Sequence, residues 1–212
     1  MKSILISIRP QWCEKIASGK KTIEVRKSAP KEVPFKGYIY ATKPKKFYKC
    51  GAVSTSDELL WLTNGKVEMG DGFKFWADGD EYQCLNGRVI GEFVCDKVDE
   101  WKYLPDGFTD TGEKMYYIEG KDGDKTCLTY DEIEKYGKGK PLYGLHITDL
   151  KIYDNPKELS EFRPICKFEG KDAICSLFCP KCKYDGGLFF ECTRRITRPP
   201  QSYMCVEEIK ER

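Results

Sequence analysis

Residues 18–27 read "SGKKTIEVRK", a stretch in which Lys20, Lys21, Arg26 and Lys27 supply four cations, Glu24 one carboxylate and Thr22 a hydroxyl. Extended side chains alternate with a period of two, so Ile23 and Val25 fall on one face while Thr22, Glu24 and Arg26 fall on the other. That alternation predicts a strand with one face on a core and one polar face. Just before it, "RPQWCEKIASGKK" has Pro10 at a first-turn position, Trp12 and Ile16 four residues apart, and Gly19 as a natural stop, which together predict a short helix. Lys21 then sits at a helix-to-strand turn, where strand parity does not fix its direction. Upstream, "SILISI" is an apolar run of strand length.

The chain has 212 residues, 40% hydrophobic and 33% charged, which describes a globular protein of one domain, or one domain with a satellite. No apolar stretch approaches the ~20 residues of a membrane helix. The N-terminal run is broken by serines and lacks a small-residue cleavage site, so no signal peptide is expected. Eleven cysteines, an odd number, with no export signal, suggest a cytoplasmic chain with reduced thiols, some of them holding metal. The net charge of +2 conceals an asymmetry: residues 1–50 contain 13 Lys and Arg against 3 Glu, a local +10 that leaves −8 for the remainder. Such an excess suits a phosphate-bearing partner, the plain alternative being a solvated lysine-rich surface.

Further strands are predicted at "GYIYAT" (37–42), at "GRVIGEFVCDKV" (87–98), with Gly91 marking a bulge or a close backbone approach, and at "LYGLHITDLKIYD" (142–154). Between them, residues 43–87 read as an insertion of short strands with turn signals at Asn64-Gly65, Asp71-Gly72 and Asn86-Gly87. "TYDEIEKYG" has Thr129 and Glu132 at capping-box spacing before a short helix ending near Gly137. In "NPKELSEF", Asn155 as cap and Pro156 at the first helical position predict another helix. Five or six strands with two or three short helices in mixed order favour a small twisted or closed sheet over a βαβ array.

Six of the eleven cysteines lie between residues 163 and 206. Cys179-Pro-Lys-Cys182 is a two-residue-spaced pair of the kind that forms half of a tetrahedral zinc site, Cys192 lies ten residues on, and Cys166 or Cys175 is the fourth candidate. The segment has few large aliphatic residues, so metal would supply what its core lacks. Four thiolates close the coordination sphere, which assigns zinc a structural role. His146, the only histidine, falls on the face opposite Leu145 and Ile147 and is expected to be a hydrogen-bonded structural residue. Gly-rich phosphate loops, H-E-x-x-H and G-x-S-x-G are absent, so kinase, zinc-protease and α/β-hydrolase readings lose their usual support.

The opening stretch, written G-x-K-x-x-E-x-R over Gly19, Lys21, Glu24 and Arg26, resembles the signature of ASCH domains, relatives of the RNA-binding PUA domain. "GRVIGEFVCDKV", "YGLHITDLKIYDNPKELSEF" and "RPPQSYMCVEE" look like segments of longer, phage- or prophage-type ASCH proteins in which a cysteine-bearing loop precedes a final strand. The resemblance implies an α+β fold: a PUA-like mixed β-barrel flanked by short helices over residues 1–162, a zinc-bound loop over 163–197, and a strand returning to the barrel within 198–212. It implies Cys166, Cys179, Cys182 and Cys192 as the zinc ligands. It also implies a cleft lined by Lys21, Glu24 and Arg26, which would bind RNA or a modified nucleoside; if the protein is a binding module, Trp12, Tyr38 and Tyr40 are candidates to stack on bases, the plain alternative being core packing.

Small relatives similar at this turn are amidohydrolases of N4-acetylcytidine, and another branch has been linked to ribonuclease activity. In the amidohydrolases the motif reads G-x-K-T-x-T, the lysine acting as base and the second threonine as nucleophile. Lys21 and Thr22 match, whereas Glu24 stands at the nucleophile position. A carboxylate there could serve as a general base toward water, and Thr22, two residues away on the strand, is the substitute nucleophile, which makes Lys21, Glu24 and Thr22 the catalytic set if the protein is an enzyme. Glu92, in "IGEFVC", is a candidate for the later carboxylate, the plain alternative being an exposed strand glutamate. The plain alternative for the signature is a Glu24–Arg26 ion pair with Lys21 solvated, worth little if exposed.

Overall fold

The computed structural model describes residues 1–42, 87–105, 114–116, 118, 122–165 and 195–209. Residues 43–86 of the expected insertion, and the candidate zinc ligands Cys166, Cys179, Cys182 and Cys192, lie outside the described residues.

In chain order the elements are β1 (Lys2–Ile8), α1 (Pro10–Ala17), β2 (Ile23–Arg26), β3 (Phe35–Ala41), β4 (Arg88–Cys95), β5 (Val98–Trp101), β6 (Tyr103–Pro105) and β7 (Lys114–Tyr116). There follow α2 (Asp122–Lys125), α3 (Tyr130–Gly137), β8 (Leu142–His146), β9 (Thr148–Glu158) and β10 (Tyr203–Val206). Strands β10-β1-β3-β4-β9 make a five-stranded sheet, β2-β8-β5 a three-stranded one and β6-β7 a hairpin. Only the β1–β3 pair is parallel among the described ladders, its crossover carrying α1 and β2. Mixed sheets with a few short helices make an α+β fold, as the sequence predicts.

The two larger sheets do not close into a barrel among the described residues. Chain direction explains this. The expected single strand at 142–154 is divided at Ile147, whose amide donates to the Thr22 carbonyl at 2.9 Å; β8 enters the three-stranded sheet and β9 forms an edge of the five-stranded one. A core of Ile4, Ile6, Ile8, Cys13, Ile16, Phe35, Ile39 and Phe93 from the larger sheet and α1 takes in Leu145 of β8, with Val98 of β5 packed against it. The sheets therefore meet over a shared interior. A second cluster, with Leu5, Tyr38, Tyr40, Phe162 and Val206, covers the other face of the five-stranded sheet. With both faces covered, β1 and β3 tolerate apolar residues at nearly every position.

The local signals for α1 and α3 hold. Pro10 opens α1, and Gly19 beyond its end has φ +71°, where a Cβ is disfavoured. At α3 the Glu132 amide donates to Thr129 Oγ1 at 3.3 Å and the Thr129 amide to Glu132 Oε2 at 2.9 Å, a complete capping box. In β4 the register shifts between Val89 and Gly91, and a side chain at Gly91 would collide with the Lys151 backbone carbonyl, so bulge and close approach coincide there.

The helix expected at "NPKELSEF" is corrected. Asn155 and Pro156 lie within β9, and only Leu159–Glu161 coil, as a single 3-10 turn. Proline lacks an N–H for a ladder, yet β9 is an edge strand, where that loss is tolerated. The register against β4 jumps between Ile152 and Lys157, which places Pro156 in the irregular part of the pairing. Among the described residues no helix is long and apolar enough to cross a membrane.

Candidate functional site

Strand β2 lies antiparallel to β8 with Ile23 opposite His146, Glu24 opposite Leu145, Val25 opposite Gly144 and Arg26 opposite Tyr143. Side chains of directly paired residues share a face. Ile23 and Val25 accordingly join Trp101, Tyr116, Ile133 and Leu142 in a third apolar cluster, while Glu24 and Arg26 point with Leu145 toward the interior shared by the two sheets. The period-two expectation is met, but the polar face is not solvated. Lys21, Glu24 and Arg26 are 1%, 6% and 7% exposed.

These three side chains form one cluster. Lys21 Nζ donates to the carbonyls of Ile23 at 2.8 Å and Thr126 at 2.6 Å and lies 3.4 Å from Glu24 Oε2. Arg26 Nη2 lies 3.0 Å from Glu24 Oε1 and donates to the Ser7 carbonyl at 2.5 Å. Arg26 Nε, also buried, has no hydrogen-bond partner among the described residues. Two cations thus surround one carboxylate, and one guanidinium donor is left unmatched. Lys21, whose direction parity left open, turns inward, with three oxygen acceptors around its ammonium group. Burial pushes the Lys21 amine below its ordinary value, and Glu24 opposes that shift.

The neighbours set the character of the cluster. The Cys13 thiol of α1 is raised well above its ordinary value, first by burial and then by Glu24, and donates to the Ile8 carbonyl at 3.6 Å. It stays protonated and is a poor nucleophile. Trp12 is half-buried, with Lys15 Nζ 4.8 Å and Lys21 Nζ 5.4 Å from its ring centroid. Tyr136 of α3 is 37% exposed, and Lys27 Nζ lies 4.9 Å from its ring. Burial raises the Tyr136 phenol, and Arg26, Glu24 and Arg9 all act on it electrostatically, which places this aromatic beside the cluster.

Other residues expected at the site are placed elsewhere. Tyr38 and Tyr40 are core residues on the far face of the five-stranded sheet, so neither can stack on a ligand at Lys21. Glu92 pairs across from Tyr38, accepts from Tyr153 Oη at 2.6 Å and lies 3.5 Å from Lys36 Nζ. The thickness of the sheet separates it from Glu24. Thr22 is half-buried, its amide donating to the Lys125 carbonyl at 3.0 Å. His146 is hydrogen-bonded through Nε2 to Asp99 Oδ2 at 2.5 Å, on the face of the three-stranded sheet opposite Glu24. Tyr136 and the carbonyls of Ser7 and Thr126 were not singled out from sequence. Backbone acceptors leave no compositional signal, and Tyr136 reaches β2 only through tertiary packing.

Comparison with known proteins gives limited likeness. No family model and no curated protein matches the chain. Among solved structures, an ASCH protein from Zymomonas mobilis is similar at 16% identity and a TM-score of 0.49, over 98% of this chain and 89% of that one. Two single-substitution variants of the same protein give TM-scores of 0.48 and 0.45 at 16% and 17% identity, with 98% of this chain covered in each case and 89% and 92% of theirs.

Proposed function

We propose that the chain is an ASCH-type, PUA-like protein that binds RNA or a modified nucleoside at the cluster of Lys21, Glu24 and Arg26. The observation that carries this reading is Arg26 Nε, without a hydrogen-bond partner among the described residues, in a nine-tenths buried group of two cations and one carboxylate. A buried donor without an acceptor costs on the order of 1–3 kcal/mol, and a buried excess charge costs more. A phosphate oxygen or a base carbonyl at Arg26 would relieve both, in the planar geometry that guanidinium favours. Trp12 and Tyr136, partly exposed and flanked by Lys15 and Lys27, supply aromatic faces of the kind on which unpaired bases stack. Exposed Lys2, Arg9, Lys20, Lys27 and Lys31 extend the positive surface that would follow a backbone.

Hydrolysis is the second reading: burial lowers the Lys21 pKa, the direction a general base requires, against the three acceptors around Nζ that favour the protonated amine. Glu24, held by Lys21, would then orient water rather than attack. Within the same proposal, Cys166, Cys179, Cys182 and Cys192 hold a structural zinc in the C-terminal segment, supported by the spacing of the Cys179–Cys182 pair and by a donor set of four thiolates.

Tyr136→Ala separates a ligand site from a structural ion cluster, since Tyr136 is a surface side chain. Affinity for single-stranded RNA should fall by roughly 5- to 100-fold, the worth of one stacked base, at unchanged thermal stability. Equal affinity would remove the aromatic from the site. Mass spectrometry of N4-acetylcytidine and of total RNA after incubation distinguishes turnover from binding, with Lys21→Ala as control.

A further inference from the structure

Three metal-ligating side chains converge on the face of the three-stranded sheet opposite Glu24. Asp99 of β5 pairs with Gly144, two residues from His146 on β8, so the two side chains are diagonal neighbours on one face. Asp122 reaches the same place from the start of α2. His146 Nε2 and Asp99 Oδ2 are 2.5 Å apart, and one ligand atom from each of Asp99, Asp122 and His146 lies within 4.8 Å of the other two. All three residues are partly buried. Metal–ligand bonds of about 2.1 Å place neighbouring donors about 3–4 Å apart, so a small adjustment suffices.

A His–Asp hydrogen bond accounts for two of the three groups, but not for a second carboxylate brought beside the first from a separate element. Like charges at this distance repel unless a cation lies near. Lys97 Nζ stands 2.9 Å from Asp99 Oδ1 and Lys125 Nζ 2.8 Å from Asp122 Oδ1, so each carboxylate has a cation beside it, and both lysines are at least half exposed. We propose that Asp99, Asp122 and His146 form a binding site for a first-row divalent transition metal such as Mn2+. The imidazole nitrogen favours these ions over Ca2+, which takes oxygen ligands, and the partial exposure leaves room for water in the remaining positions.

The ion would act through α2. The Lys125 carbonyl at the end of that helix accepts from the Thr22 amide at 3.0 Å, and the next carbonyl, of Thr126, accepts from Lys21 Nζ at 2.6 Å. Fixing Asp122 to β5 and β8 fixes the acceptors that hold the helix-to-strand turn. Asp99, Asp122 and His146 are therefore positioning residues for Lys21, not partners of its ligand.

Titration of the full chain with Mn2+, followed by loss of the free-ion paramagnetic resonance signal, tests the site. Thiolates suit soft ions, so the cysteine segment does not compete for Mn2+. About one Mn2+ per chain is expected, with affinity about tenfold or more weaker in Asp122→Asn and in His146→Gln, unchanged in Cys179→Ser, and tighter in Lys97→Gln. Asp122→Asn, at the start of a short helix, keeps the test valid should His146→Gln disturb the sheet, with far-UV circular dichroism as the check. In the wild type, Mn2+ should slow hydrogen exchange at the Thr22 amide, and in Asp122→Asn it should not. No Mn2+ uptake, or equal uptake by Asp122→Asn, overturns the site.

Discussion

Glu24 and Arg26 stand two residues apart on β2 and form an ion pair of 3.0 Å in which both side chains are more than nine-tenths buried, with Lys21 holding the other Glu24 oxygen at 3.4 Å. A surface pair of this composition would contribute little. In the interior the balance of charge decides stability, and Glu24 is the single anion of the group.

Glu24→Gln should therefore destabilise the fold by about 3–5 kcal/mol, since it removes the counter-charge of two buried cations while keeping the shape. Chemical denaturation of wild type and variant measures this directly. A midpoint shift within error would mean that water reaches the cluster and screens it.

The Cys95 thiol is pushed up to about 11, from an ordinary 9.0, chiefly by burial, and donates to the Lys97 carbonyl at 3.1 Å. A group whose folded pKa is raised contributes stability in full below its unfolded pKa and loses it as pH climbs to the folded value. Wild-type stability should accordingly fall between about pH 9 and pH 11 with a component that Cys95→Ala lacks. Stability measured across that range by denaturant titration would show parallel curves for the two proteins if the thiol were accessible in the fold.

Protein purified without chelator should contain about one zinc per chain, and Cys179→Ser and Cys182→Ser should each lose it. Chelation should lower the melting temperature, because binding energy at a structural zinc is folding energy. Elemental analysis giving well under one zinc would remove the metal from the C-terminal segment.

What the sequence made legible was local. The capping box at Thr129 and Glu132, the stop at Gly19 and the bulge at Gly91 each depend on a few neighbouring residues, and each is found where its signal lies. Asn155-Pro156 is the counterexample: the pair suits a helix start and an edge strand equally, and the partner strand β4, distant in sequence, decides between them. The division of residues 142–154 between two sheets is likewise set by distant partners, and with it the absence of closure among the described strands.

At the candidate site, parity put Glu24 and Arg26 on one face but could not say what covers that face. The cover comes from α1, from the Ser7 carbonyl of β1 and from the Thr126 carbonyl, 105 residues from Lys21. For the same reason Tyr40, in an alternating strand, read as a stacking candidate although a second cluster buries it. Asp99 and His146, 47 residues apart, meet only through the β5–β8 ladder.

The most direct test of the central claim is a salt-series titration of labelled single-stranded RNA against wild type and Arg26→Lys, which keeps the charge and removes the guanidinium fork. Wild type should bind with affinity that falls linearly in logarithmic plots as salt rises, and Arg26→Lys, with far-UV circular dichroism confirming that it folds, should bind about 5- to 100-fold more weakly at every salt concentration. Equal affinity for the two proteins would contradict a ligand site at Arg26 and leave the cluster as a purely structural ion network, and no RNA bound by either would remove RNA as its ligand.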